Sequence, residues 1–116
     1  MAACRNSKKK NIISAHEPIY GSTIEVLITD NEDQAGDFLG FTPDELADAY
    51  TQYFDDMHWK IWLRDFTISN LAHEVYHVTE CVKKRIQPTT EYLYVEPMAY
   101  YIGWLAQAIY DQAIEA

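Results

Sequence analysis

The chain contains no run of about 18 apolar residues, so no membrane-spanning helix is expected. It has only two cysteines, Cys4 and Cys81, which excludes a disulfide framework and suits a reducing cytoplasm. No apolar segment follows the basic opening MAACRNSKKK, so the start does not read as a signal peptide. Repeats and low-complexity tracts are absent. Positive charge is scarce as well: from Asn11 onward five basic side chains stand against eighteen acidic ones, a formal balance of −13. Such a body repels a phosphate backbone at long range, which argues against nucleic acid as a partner. The remaining basic residues, Arg5, Lys8, Lys9 and Lys10, form a short arm expected to be flexible over residues 1–10.

Apolar and aromatic residues are plentiful. They make up 48% and 14% of the 116 residues, enough for one packed domain over residues 11–116. Ile12 to Ala15 reads as a short strand interrupted by His16-Glu17-Pro18. Ser22 to Thr29 alternates, with Ile24, Val26 and Ile28 on one side and Leu27 on the other. The acidic stretch from Asp30 reads as a connection with a helical turn around Gln34 to Phe38. Thr42-Pro43-Asp44-Glu45 has the form of a capping box, predicting a helix to about Phe54 along Leu46, Ala49, Tyr50 and Tyr53. His58 to Arg64 alternates again, with Trp59, Ile61 and Leu63 opposite His58, Lys60 and Trp62. A helix is then expected from Thr67 or Ser69 to about Ile86, a break at Gln87 to Thr90, and a last helix from Glu96-Pro97 to about Ile114.

The most informative stretch is His73-Glu74-Val75-Tyr76-His77, inside the first of those two helices. Residues four apart share a helix face, so the two imidazoles can address one ion. Leu71, Val75, Val78, Val82 and Ile86 form the apolar stripe, and both histidines lie nearly opposite it. Imidazole nitrogen is a good zinc ligand, and the pair supplies two of the three protein ligands that a catalytic site needs. Glu74 is offset from them and can act on water as a base. The plain alternative is a helix with two surface histidines and one surface charge.

A third ligand has several candidates. Cys81 continues the helical row, but three ligands at i, i+4 and i+8 span about 12 Å of unbroken helix and cannot converge. His16 and His58 are further options. Glu96 is favoured: it opens the last helix, and its face continues through Ala99 and Gly103, small enough to let two helices come close. Its plain alternative is a carboxylate favouring the positive end of a helix. Glu80 suits a solvent charge or an acceptor behind a ligand. Tyr100, one turn beyond Glu96, offers a phenol for an oxyanion or for orienting a ligand, with packing as its plain use.

These residues resemble the gluzincin branch of zinc metallopeptidases, through the HExxH segment and Val95-Glu96-Pro97-Met98-Ala99-Tyr100. In size and layout the chain looks like small phage-encoded proteins with a minimal zincin-like domain. The resemblance implies an α+β fold, a small sheet packed on the HExxH helix and a C-terminal helix. It also implies Zn²⁺ held by His73, His77 and Glu96, with Glu74 as the catalytic base; Tyr100 joins the catalytic candidates only through its place one turn beyond Glu96. The strand His58 to Arg64 would lie along a peptide or protein substrate, and the setting would be the host cytoplasm. The rival expectation is a non-catalytic, zinc-containing accessory protein that binds a host or viral partner. A third is a small zinc-free binding domain.

Overall fold

Side-chain alternation organises a four-stranded sheet. The structure, a computed structural model, describes residues 12–86 and 95–115, with Val95 and Glu96 as backbone alone. The basic arm and the break at Gln87 to Thr90 lie outside the described residues. Strands β1 (Ile12–Glu17), β2 (Ser22–Ile28), β3 (Ala49–Tyr53) and β4 (His58–Leu63) are joined in the order β1-β2-β4-β3. The β1–β2 and β3–β4 pairs are antiparallel, whereas β2–β4 is parallel. With helices α1 (Glu32–Leu39), α2 (Ile68–Arg85) and α3 (Val95–Glu115), the fold is α+β.

Each sheet face has its own core. Ile24, Val26, Trp59, Ile61 and Leu63 meet Val75, Val78 and Val82 of α2 and Leu105 and Ile109 of α3. These side chains are essentially removed from water, each contributing roughly 1.5–3 kcal/mol for a Val, Leu or Ile. On the reverse face Leu27 and Trp62 pack against Ala35, Phe38 and Leu39 of α1. The sides assigned from alternation in β2 and β4 are those observed.

Strand β1 runs through His16 and Glu17, beyond the expected stop at Ala15. Pairing with β2 continues to Glu17, whose buried carboxylate accepts bonds from the Ile19 and Tyr20 N–H groups and the Ser22 hydroxyl. Those donors satisfy a charge that would otherwise be expensive to bury.

The acidic connection is more ordered than the sequence indicated. Asn31 accepts from the Gln34 N–H at 2.9 Å, starting α1, and Gly40 ends it at φ 88°.

The helix expected from Thr42 to Phe54 does not form. Asp44 instead accepts the Leu46 N–H in a local turn, Leu46 is 87% exposed, and Ala49–Tyr53 is a strand. Ala49 and Tyr53 fit a helical stripe, but Ala49, Thr51 and Tyr53 also share one side of a strand. Pairing along the whole length of β3 with β4 outweighs the local cap signal. Asp55 and Asp56, just past the expected helix end at Phe54, begin the β3–β4 turn, where Asp56 and Met57 both have positive φ.

Candidate metal centre

Helix α2 presents the histidines because its opposite face is fixed. Thr67 caps it, accepting the Asn70 N–H at 3.0 Å, and Lys83, Lys84 and Arg85 oppose the dipole in its last turn. Leu71, Val75, Val78 and Val82 face the sheet, leaving His73 and His77 on the outer side. Their Nε2 atoms stand 3.0 Å apart, with rings inclined at 76°. Two imidazole nitrogens at that distance share either one proton or one cation. With Zn–N near 2.0–2.1 Å, a tetrahedral site separates two nitrogens by about 3.3 Å. The pair therefore fits a zinc ion with little movement.

Glu74 turns from this outer side toward the edge of the sheet. Its side chain is 6% exposed, Oε1 accepts the Thr51 hydroxyl of β3, and Oε2 lies 3.9 Å from His73 Nε2. A cavity of about 340 Å³ lies between α2 and β3, lined by His73, Glu74 and His77 together with Thr51, Tyr53, Trp59 and Cys81. Among the described residues the buried indole N–H of Trp59 has no hydrogen-bond partner.

Strand β3 forms one wall and is an edge strand of the sheet, with no further strand beside it among the described residues. The Phe54 N–H bonds the His58 carbonyl and the Arg64 N–H bonds the Asp48 carbonyl. By antiparallel alternation Tyr50 and Gln52 exchange bonds with β4, so Ala49, Thr51 and Tyr53 direct backbone groups outward. The expectation that His58 to Arg64 lies along a substrate is therefore corrected: β4 is paired on both sides, by β2 and β3. Lys60 and Arg64 are occupied as well. Lys60 Nζ donates to the Phe38 carbonyl, and Arg64 Nε donates to that of Ala47.

The other ligand candidates separate. His16 and His58 belong to the sheet face opposite α2, where His16 Nδ1 meets Thr23 Oγ1 at 2.9 Å and His58 Nε2 lies 3.3 Å from Glu25. Neither can join the pair. Glu80 forms an ion pair with Lys83 at 3.6 Å. Cys81 lines the cavity, half-buried and free. The Glu96 side chain lies outside the described residues, and among the described residues no three His, Cys, Asp or Glu side chains gather as a metal set.

Two arguments about the last helix are corrected. Ala99 and Gly103 are exposed, and a Cβ added at Gly103 would meet nothing, so they do not mark a close helix–helix approach. Met98, Tyr101, Leu105 and Ile109 form the buried stripe instead. Tyr100 is 74% exposed and lines a different cavity, of about 460 Å³, with Glu17, Tyr20 and Trp104. It does not line the histidine cavity, so its phenol is not placed for an oxyanion there.

Thr51 is a lining residue that the sequence pattern does not mark as part of this site. The signal for Thr51 was the alternation of Ala49, Thr51 and Tyr53, hidden by the capping box before it. No protein-family model, curated protein or solved structure matches the chain.

Proposed function

We propose that the protein is a zinc-dependent hydrolase that cleaves an amide bond in a peptide or protein. The observation that carries this reading is the 3.0 Å approach of His73 and His77 Nε2 with a Glu74 oxygen 3.9 Å from one of them. In this reading both histidines hold the ion, and Glu96 completes the protein ligands. Zinc, when bound, supplies a Lewis acid that acidifies water and polarises a carbonyl. Glu74 Oε2 takes the proton from the attacking water and returns it to the departing amine. The outward backbone groups of Ala49, Thr51 and Tyr53 pair with an extended substrate, aligning its scissile carbonyl beside the histidines.

The test combines elemental analysis with a screen of peptide libraries for new amino termini. Protein purified without chelator is expected to carry about one zinc per chain. Glu74→Gln keeps the metal but lowers cleavage by about a hundredfold or more, as expected for losing a positioned acid–base group. Wild-type protein that takes up no zinc at neutral pH would exclude the reading. Cleavage that survives Glu74→Gln would exclude the mechanism.

A further inference from the structure

A general base is effective only if one particular oxygen meets the proton. Glu74 has two equivalent oxygens and a side chain with three rotatable bonds, so something must select one. The carboxylate is almost entirely buried in the cleft, and its Oε1 accepts the Thr51 hydroxyl. That bond comes from a different element, 23 residues away in sequence. Both partners are braced. Thr51 is paired opposite Ile61 in the sheet, and Glu74 adjoins the fully buried Val75 on a helix held to the same sheet.

From this geometry we infer that Thr51 is the positioning residue for Glu74. It holds Oε1 away from the histidines and leaves Oε2, the oxygen nearest His73, as the basic atom. The inference rests on the proposed zinc-hydrolase reading and adds a residue outside the HExxH segment to its machinery. Because the hydroxyl sits on the strand whose outward backbone groups would take the substrate, one residue serves both purposes. Its side chain sets the base, and its backbone helps set the peptide. A substrate drawn tightly onto β3 therefore meets a carboxylate already aligned with it.

The prediction separates orientation of the base from binding of the metal. Thr51 touches neither histidine in this arrangement, so Thr51→Val should leave Zn²⁺ or Co²⁺ uptake as in wild type. The probe is acetohydroxamate, a chelating acid whose binding to a metal site gives up a proton to the neighbouring base. Its affinity for Co²⁺-loaded protein is read from the visible spectrum. Thr51→Val should weaken acetohydroxamate by about tenfold, the lower range for removing an orienting partner. Thr51→Ser, which restores a hydroxyl, should recover most of that loss. The Thr51→Val/Glu74→Gln double variant should be no weaker than Glu74→Gln alone, because the threonine acts only through the glutamate. If Thr51→Val fails to fold, Thr51→Ala takes its place, since water can then reach the carboxylate. Normal metal uptake with unchanged acetohydroxamate affinity in Thr51→Val, or fully additive losses in the double variant, overturns the positioning role alone. Absence of metal uptake in the wild type overturns the hydrolase reading and this inference together.

Discussion

The Tyr101 hydroxyl lies 2.7 Å from Ser22 Oγ, joining the last helix to the start of β2. Ser22 in turn donates to Glu17 at 3.1 Å, so the phenol closes a buried chain of polar groups. Burial pushes the Tyr101 phenol up from 10.0 to about 12; the Ser22 bond pulls it down, and the nearby Glu17 charge adds to the rise. The unfolded chain therefore loses this proton near pH 10, while the folded chain keeps it to about pH 12. The stabilisation is whole below pH 10 and disappears as pH rises through that interval.

Tyr101→Phe should consequently flatten the loss of stability between pH 10 and 12. At neutral pH it should cost about 1 kcal/mol through the lost hydrogen bond. Urea unfolding across pH 7 to 12 measures both effects. An unchanged alkaline slope would count against the burial argument.

The ligand set gives a second prediction. Glu96→Ala should reduce zinc affinity by more than about a hundredfold, beyond what removing an outer partner does. Cys81→Ser, although it alters the cavity wall, should leave affinity nearly unchanged. Acidification should release the metal, because an imidazole must be unprotonated to ligate. A competitive zinc titration of the two variants at several pH values tests the order. The reverse order would make Cys81, not Glu96, the third ligand.

The β3–β4 turn holds Asp56 at φ 55° and Met57 at φ 58°. Positive φ is costly for a residue with a Cβ, and Gly meets that demand best. Met57 also packs against the core, so its side chain is needed. Exposed Asp56 is the freer position, and Asp56→Gly should raise stability by about 0.5–1 kcal/mol. Chemical denaturation is sufficient to read this gain.

Gly40 should respond in the opposite direction. Its φ of 88° ends α1, and a Cβ there would meet no neighbouring atom. Gly40→Ala is therefore opposed by backbone conformation alone, at about 1–2 kcal/mol. A cost far above that, measured by the same unfolding experiment, would reveal packing around the turn that is not apparent from its neighbours.

Parts of the fold and site were legible where local pattern and tertiary demand agree. Trp59, Ile61 and Leu63 alternate because one sheet face is buried. His73 and His77 could be placed opposite Leu71, Val75, Val78 and Val82 because one helix wheel relates all six. Thr42 to Phe54 failed for the complementary reason. A good capping box sits beside residues whose spacing suits two periods, and β4 decides between them from outside the segment. The misplacement also hid Thr51, whose relation to Glu74 exists only after β3 has joined the sheet. Ala99 and Gly103 were misread because small size indicates where close packing is possible, not where it occurs. Tyr100 followed the same mistaken face.

The parallel pairing of β2 with β4 constrains the route by which this chain can fold. The β3–β4 hairpin and the capped α2 helix close through near neighbours, but β2 must wait for Trp59 to reach Ile24, 35 residues away in sequence. Loop-closure entropy is met before those contacts form, so the central junction is the natural kinetic bottleneck. Core substitutions at the two positions divide accordingly. Val26→Ala should retard refolding if this junction belongs to the rate-limiting ensemble, whereas damage confined to Tyr101 should mainly hasten unfolding. Stopped-flow refolding and unfolding rates for the two variants distinguish these responses.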